Sequence, residues 1–383
     1  MRAIKIVVWL ASLLLALGAC QPRTAEQHRA RVLAGLRPEG LTFARWTLAE
    51  RMAHYKTPGV SIAVVEGGSI AWARGFGVKE AGGSDAVTPD TLFQVASISK
   101  PVAALATMRL VQDGKLSLDA NVNDVLRSWK LPENELTTTE KVTLRRILSH
   151  TAGLTVYGFA GFASDEPLPT LPQVLDGVAP AKNAPVRVEA VPGTLSQYSG
   201  GGVTVMQVLV EDVTGIPYPE LLRTTVLDPL GMRHSTYEQP LPASLAAKAA
   251  AGHDEAGHVL PGRWHSYPMQ AAAGLWTTPS DLARMIIDVQ ETYAGSSSRV
   301  LDQSSIRQML TVESPPFGLG FMVEGKGRNL RFSHNGINDG FRATFAGYAE
   351  RGQGAVVMVN SDCTELPFEI LRSIAAEYDW PGW

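Results

Sequence analysis

The chain has few cysteines, no basic cluster and no hydrophobic run long enough to cross a membrane comfortably. Only two of its 383 residues are cysteine, Cys20 and Cys363, so at most one disulfide could form and the fold must depend on its core. Hydrophobic residues make up 45% of the chain, enough for one large globular unit or two lobes. The net charge is −3, and without a basic cluster we expect no nucleic-acid partner.

Several motifs of common enzyme classes are also missing. No Gly-x-Ser-x-Gly occurs, which argues against an α/β-hydrolase. His253, His258 and His265 share a glycine-rich stretch, but they lack a His-Glu-x-x-His spacing and a cysteine partner. Gly200-Gly201-Gly202 is not followed by the Gly-Lys-Ser/Thr of a phosphate-binding loop, so we interpret it as room for a substrate. The sequence therefore predicts no metal and no cofactor.

The N-terminus has the pattern of a secretory signal. Arg2 and Lys5 precede an apolar run over 6–17, which is too short for a comfortable transmembrane helix. The run leads into Leu17-Gly18-Ala19-Cys20, which resembles the cleavage motif of bacterial lipoproteins and implies acylation of Cys20. An ordinary signal peptide with an incidental cysteine is the alternative.

The residues around this cysteine also bear on location. Gln21 rather than Asp follows Cys20, which resembles the pattern of lipoproteins sorted to the outer membrane. We therefore predict a signal peptide over 1–20 and a polar tether over 21–42. The protein would be held at the bacterial cell envelope, on the periplasmic face of the outer membrane, through a multiply acylated Cys20.

Three short motifs occur in a fixed order: Ser97-Ile98-Ser99-Lys100, Tyr198-Ser199-Gly200 and His334-Asn335-Gly336. Alone each is weak, because a Ser-x-x-Lys arises by chance about once in a chain of this length. This one is the only match, and it precedes an apolar, alanine-rich run typical of a buried helix. Together the motifs predict a nucleophilic serine, groups that handle its proton, and a strand that binds an acyl substrate.

Lys100 is the candidate base for Ser97. Pro101 is tolerated only in about the first helical turn, so the helix should begin close to Ser97, and residues three apart share one helix face. Keeping a lysine neutral at pH 7 costs roughly 4–5 kcal/mol without burial or a neighbouring cation, and ionising a tyrosine costs roughly 4 kcal/mol. A Lys–Tyr pair that shares one proton eases both difficulties, which makes Tyr198 the predicted partner.

These motifs resemble those of the serine β-lactamase and penicillin-binding protein superfamily. The resemblance is to its class C-like branch, which also contains family VIII-type esterases and D-amino-acid peptidases. Three further segments resemble the same superfamily: 148–154 (LSHTAGL), 227–232 (LDPLGM) and 273–283 (AGLWTTPSDLA). The resemblance covers about residues 43 to 380.

The resemblance implies an α/β (α+β) fold of the β-lactamase/DD-peptidase type, with a five-stranded antiparallel sheet flanked by helices and a mainly helical lobe. The α/β lobe would comprise about 43–115 and 270–383, the helical lobe about 116–269, and the active site would lie between them. Apolar patterns predict strands over 60–65, 69–75, 318–323, 330–334, 342–348 and 355–359.

The resemblance also implies roles for individual residues. The main-chain N–H groups of Ser97 and Ile337 would form the oxyanion hole. The substrate-binding candidates are His334, Asn335, Gly336, Gly200 and Tyr157. A side chain at Gly336 would block a substrate lying on the strand, although Asn-Gly is also a common turn pair. His150, at the end of a predicted helix, is interpreted as structural.

Two departures from the β-lactamase pattern concern the substrate. Gly200 stands where β-lactamases usually have an asparagine, and His334 stands where they usually have a lysine that helps to bind a carboxylate. A histidine is mostly neutral at pH 7 and would do so more weakly. We therefore favour a serine hydrolase acting on an ester, peptide or cell-wall fragment. A β-lactamase and a weakly catalytic penicillin-binding module remain alternatives.

Overall fold

A six-stranded antiparallel sheet forms the centre of the structure, a computed structural model that describes residues 23–36 and 45–383. The described strands are β1 (Gly59–Glu66), β2 (Ser69–Gly77), β3 (Phe93–Gln94), β4 (Trp276–Thr277), β5 (Met322–Glu324), β6 (Arg331–Asn338), β7 (Phe341–Tyr348) and β8 (Gly354–Val359). β3 and β4 pair with each other, and the main sheet has the order β2-β1-β8-β7-β6-β5. The N-terminal hairpin of β1 and β2 therefore joins the C-terminal strands in one antiparallel sheet, through the pairing of β1 with β8. The short edge strand β5 makes six strands where five were expected.

Helices cover both faces of this sheet. The described α-helices are α1 (Ala25–Leu33), α2 (Leu48–His54), α3 (Ser99–Gln112), α4 (Val122–Val125), α5 (Leu144–Leu148), α6 (Leu171–Asp176), α7 (Gly200–Thr214), α8 (Tyr218–Leu222), α9 (Gln270–Ala273), α10 (Pro279–Ala294), α11 (Gln303–Met309) and α12 (Glu365–Glu377). The short helices between α3 and α9 agree with the predicted loop-rich, mainly helical segment. Most of the structure thus follows from the apolar patterning of the sequence.

The alternation of side chains along β1 shows how the sheet divides the core. Val60, Ile62 and Val64 pack with α1, α2 and α12 on one face. Ala63 and Val65 point to the other face, towards α10. On that second face a single buried cluster joins the sheet, α3, α10 and the mainly helical segment, so the predicted lobes share one core.

The segment predicted as a tether over 21–42 contains a docked helix, and the prediction is wrong for its described part. α1 begins with a capping box at Thr24 and lies against α12. There Arg31 Nε donates to Glu377 Oε2 over 2.8 Å, and His28 Nδ1 lies 2.9 Å from Glu377 Oε1. Cys20 and the predicted signal lie outside the described residues. Within the described part, no helix is both long and apolar enough to cross a membrane.

Strand β6 extends further than the sequence indicates. It was expected to end at His334, but its pairing with β7 continues to Asn338 opposite Phe341. β5 pairs only with the first part of β6, up to Ser333 opposite Met322. The third motif therefore lies within the strand, on the stretch that extends beyond β5.

Candidate active site

Ser97 lies in a tight turn between β3 and α3. The turn spans Ala96–Ile98, and Ala96 has a φ of +48°, a left-handed conformation that costs a non-glycine residue about 1–2 kcal/mol. Ser99 supports it, because its Oγ donates to Ala96 O over 2.5 Å and accepts from the Leu275 N–H over 2.9 Å. α3 begins two residues after Ser97, close to the predicted start.

The Lys100 amine contacts the predicted nucleophile directly. Its Nζ donates to Ser97 Oγ over 2.9 Å and to Ala272 O over 2.8 Å, and only 4% of the residue is exposed. Both acceptors are uncharged. Burial lowers the pKa of Lys100 to about 7, because removal from water disfavours the ammonium form. A large share of the amine is therefore neutral at neutral pH and able to accept a proton.

Neighbouring side chains hold the short helix that supplies this carbonyl. Ala272 lies in α9, a helix of only four residues. The N–H of Ala271 donates to Gln207 Oε1 over 3.0 Å, and Gln207 Nε2 donates to Gln270 Oε1 over 3.1 Å. Gln207 belongs to α7, so α7 fixes the acceptor of Lys100 and also follows directly on the segment that carries Tyr198. No local pattern in the sequence distinguishes this glutamine.

Tyr198 lies just before α7 and completes the group around Ser97. Its ring lies beside the Ser97–Lys100 pair, with Lys100 Nζ 5.0 Å from the ring centroid. Burial raises the pKa of Tyr198 well above its usual value, and this effect outweighs the opposing effect of the neighbouring Ser97 side chain. The phenol is therefore protonated at neutral pH, and the Lys100 amine is the better proton acceptor of the two.

Other aromatic rings surround Tyr198. The distances between ring centroids are 4.3 Å to His150, 4.8 Å to Tyr157, 6.0 Å to Phe317 and 6.2 Å to His334. Tyr157 is 74% exposed, which places it at the solvent side of this cluster, as expected for a residue that contacts a substrate. The sequence interpretation missed the contacts of His150 and Phe317, since they come from other parts of the chain.

His334, one of the rings around Tyr198, is a buried and neutral side chain. Its Nδ1–H donates to Asn335 O over 2.7 Å, which leaves Nε2 as the acceptor. Burial, and secondly the charge of Lys100, lower the pKa of His334 to about 3. At neutral pH the positive charge of this group of residues therefore depends on Lys100.

Three predicted substrate contacts have other partners in the structure. The Asn335 side chain points to the opposite face of β6, where its Oδ1 accepts from Thr344 Oγ1 over 2.8 Å. A Cβ at Gly336 would lie 2.0 Å from Val95 O, so this glycine permits close packing of β6 on the segment before Ser97 rather than access for a substrate. A Cβ at Gly200 would lie 3.0 Å from Tyr157 O, so this glycine packs closely on the segment that carries Tyr157.

Ile337 follows Gly336 on β6, and its side chain is 62% exposed. Because Gly336 packs on Val95, β6 lies against the turn that carries Ser97. The two residues expected to form the oxyanion hole therefore belong to adjoining segments, and their role stays a prediction. Among residues 23–36 and 45–383, no group of three or more His, Cys, Asp or Glu could hold a metal ion.

The fold and this site define a class of serine hydrolases. A family model described as Beta-lactamase matches residues 45–378, so the chain belongs to the Beta-lactamase family. Members of this family are typically serine hydrolases, and the architecture is that of β-lactamases and DD-peptidases, as the sequence resemblance implied.

Three similar proteins illustrate the range of the family. Protein flp of Staphylococcus aureus strain MW2 is 24% identical over 323 residues, which are 81% of this chain and 61% of that protein. The chain thus spans about three fifths of the length of such relatives. The octameric penicillin-binding protein homologue from Pyrococcus abyssi has a TM-score of 0.73 and 25% identity, covering 87% of this chain and 76% of its own. EstCE1, a hydrolase with promiscuous acyltransferase activity, has a TM-score of 0.72 and 18% identity, covering 91% and 99%, and shows likeness of fold alone.

Proposed function

We propose that the protein is a serine hydrolase that works through an acyl-enzyme on Ser97. The observation that carries the proposal is the buried Lys100 amine, 2.9 Å from Ser97 Oγ, with a pKa lowered to about 7. A serine hydroxyl needs such a base, because it is a poor nucleophile while it keeps its proton. Membership in the Beta-lactamase family supports the same assignment.

In the proposed first step, Ser97 Oγ forms a bond to the substrate carbonyl carbon while its proton passes to the neutral amine of Lys100. The N–H groups of Ser97 and Ile337 hold the oxyanion of the tetrahedral intermediate; removing one such donor typically costs roughly 2.7–4 kcal/mol. The bond to the leaving group then breaks, and the leaving group takes a proton from Lys100, directly or through the Tyr198 hydroxyl. Water next attacks the acyl-enzyme and gives a proton to the same amine. The bond between the acyl carbon and Ser97 Oγ then breaks, Oγ takes that proton back from Lys100, and the acid is released.

The electrostatics of the site favour an ester, or a D-amino-acid amide or peptide bond with no free carboxylate beside it, over a β-lactam as the substrate. His334 is neutral at neutral pH, so it adds no positive charge to attract a carboxylate. The side chain that β-lactamases usually carry at the position of Gly200 is absent, and a Cβ there would contact Tyr157 O at 3.0 Å and the ring of Phe159 at 3.1 Å. Exposed Tyr157 offers an aromatic surface for an apolar part of the substrate.

The proposal includes the location of the enzyme. The apolar run over 6–17 and the Leu-Gly-Ala-Cys ending at Cys20 support secretion and a lipid anchor at the bacterial cell envelope. Growth of producing cells with radiolabelled palmitate, for the wild type and Cys20→Ser, tests the anchor. Label that is absent from both chains would contradict it.

The chemistry is tested by mixing the full chain in detergent with a short-chain p-nitrophenyl ester, D-alanine p-nitroanilide and a penicillin, in parallel with Ser97→Ala. We expect rapid turnover of the ester or the anilide, its loss in the variant, and little penicillin adduct by intact mass. A long-lived penicillin adduct with slow ester turnover would assign a penicillin-binding module instead, and rapid penicillin turnover a β-lactamase. Equal activity of both chains would remove Ser97 as the nucleophile.

A further inference from the structure

We propose that His150 is a positioning residue that holds Tyr198 against Ser97 and Lys100. The inference rests on the proposed function, because it concerns the geometry of the same proton transfer. It gives a role to a histidine that the sequence presents only as the end of a helix. It also predicts that His150 acts as a neutral hydrogen-bond acceptor and not as an acid or a base.

Two contacts carry the inference. The main-chain N–H of Ser199, the residue after Tyr198, donates to His150 Nδ1 over 3.2 Å. The imidazole ring also lies on the ring of Tyr198, with centroids 4.3 Å apart and planes inclined by 35°. One side chain thus fixes both the backbone beside Tyr198 and the orientation of its ring.

The surroundings of His150 show that its own position is firmly set. It is 5% exposed, its φ is +56°, and its carbonyl accepts from the Gln197 N–H over 2.7 Å. The ring of Phe317 contacts the imidazole from another side, with centroids 4.7 Å apart. A non-glycine residue keeps a left-handed backbone only where the surrounding structure enforces it.

The charges around His150 require a neutral imidazole. Nδ1 accepts a hydrogen bond, so the single proton of the ring is on Nε2. A second proton would remove the acceptor of the Ser199 N–H and place a cation beside Lys100. Burial first, then the charges of Lys100 and His334, lower the pKa of His150 well below its ordinary value.

The test compares His150→Phe with His150→Asn. The phenylalanine keeps a ring beside Tyr198 and loses the acceptor, whereas the asparagine keeps an acceptor oxygen on the same carbon position, Cγ, as Nδ1. We expect His150→Phe to lower kcat about a hundredfold with little change in KM, since a small displacement of a catalytic group has an effect of that order. His150→Asn should recover a substantial part of this loss.

The pH profile separates positioning from stability. Looser packing around Tyr198 admits water to Lys100, so the acidic limb of kcat/KM should move to higher pH in His150→Phe. His253→Asn is the matched control, because His253 is also fully buried and its ring bonds Asn360 O and the Ala81 N–H away from Ser97. This control should lower the melting temperature and leave the pH profile unchanged.

The outcomes are distinct. A hundredfold loss in His150→Phe with a shifted profile and partial recovery in His150→Asn supports the role. Wild-type kcat and a wild-type pH profile in His150→Phe would overturn it. An unshifted pH profile would also overturn it if the loss of kcat in His150→Phe matched that in His253→Asn. Ser97→Ala is assayed in parallel, and activity that survives in that variant would contradict the proposed function itself. If Ser97→Ala is inactive, the His150 variants alone decide whether His150 has the positioning role.

Discussion

Arg51 and Lys100 are two buried cations on opposite sides of the central sheet, and their partners differ. Arg51 forms a bidentate pair with Glu369, with Nε 2.8 Å and Nη2 2.7 Å from the two carboxylate oxygens. Tyr55 OH donates to the same carboxylate over 2.7 Å. Lys100 has only uncharged hydrogen-bond acceptors, Ser97 Oγ and Ala272 O. Both side chains are buried, but a carboxylate neutralises the charge of Arg51 and no carboxylate neutralises the charge of Lys100.

The different partners shift the pKa values of Arg51 and Lys100 in opposite directions. The hydrogen bonds to Glu369 raise the pKa of Arg51, whereas burial without a carboxylate lowers the pKa of Lys100 to about 7. A buried cation beside an anion stabilises an ion pair and keeps its proton. A buried cation without one becomes a base at neutral pH, and this difference separates a structural site from a chemical one.

The largest effect is expected from Lys100→Met. Removing the base should lower kcat about 10²- to 10⁴-fold, because general base catalysis typically contributes about that much. Stability should respond differently. A lysine whose folded-state pKa lies below its unfolded value destabilises the fold below the unfolded pKa, most strongly below pH 7, and this penalty disappears as the pH rises to about 10.

Urea unfolding of Lys100→Met and the wild type at pH 6 and pH 10 measures this penalty. The difference in unfolding free energy between the two chains should change by about 4 kcal/mol between these pH values, in favour of the variant at low pH. A difference that does not vary with pH would mean that Lys100 keeps its proton in the fold.

Replacing the other buried cation, Arg51, by methionine should lower stability and leave the activity unchanged. Arg51→Met leaves the Glu369 carboxylate buried and unpaired, which should destabilise the fold by about 3–5 kcal/mol. The activity of the molecules that remain folded should not change. Urea unfolding combined with active-site titration checks both statements, and Arg51→Met with Glu369→Leu should restore most of the stability. Loss of activity in the folded fraction would contradict the separation of the two sites.

Gly336→Ala tests the geometry of the site around Ser97 without changing its charge. The new Cβ would lie 2.0 Å from Val95 O, so the backbone beside Ser97 must shift. We expect the rate of acylation to fall about a hundredfold, since a displacement near 1 Å has this effect. Gly347→Ala is the control, because its Cβ would crowd Phe332 and Ile286 within the sheet. Stopped-flow acylation rates that fall equally in both variants would point to general destabilisation.

The smallest expected effect is from His334→Lys, which adds a second cation beside Lys100. Repulsion should lower the pKa of Lys100 further and move the acidic limb of kcat/KM to lower pH. Turnover of an ester that carries a carboxylate should rise about tenfold relative to the matched neutral ester, as one favourable charged contact supplies about 1.4 kcal/mol. His334→Gln is the neutral control. If the ratio of turnover of the charged ester to that of the neutral ester were equal in both variants, charge would not be the cause.

The sequence predicts the parts of the structure that depend on local patterning. The spacing of Ser97 and Lys100 on one helix face and the two strands predicted over 60–65 and 69–75 are present in the structure. β6 was expected to end at His334, but pairing with β7 continues the strand to Asn338, through an Asn-Gly pair that is also common in turns.

The rest depends on partners that are distant in the chain. The polar sequence of α1 indicates no fold by itself, and its docking requires Glu377 at the end of α12. The orientation of Asn335 follows from Thr344 on the neighbouring strand. The support of Tyr198 by His150 joins the Ser199 N–H to a residue 49 positions earlier. Such contacts are fixed by tertiary packing, which a single sequence does not display.

The most direct test of Lys100 as the base is the pH dependence of Ser97 acylation in a single turnover. The rate should rise with pH around a midpoint of about 7, the pKa of Lys100, because only the neutral amine accepts the proton of Ser97. A midpoint above about 10 would indicate a Tyr198 phenolate or a lysine with an ordinary pKa, and it would contradict the contrast with Arg51.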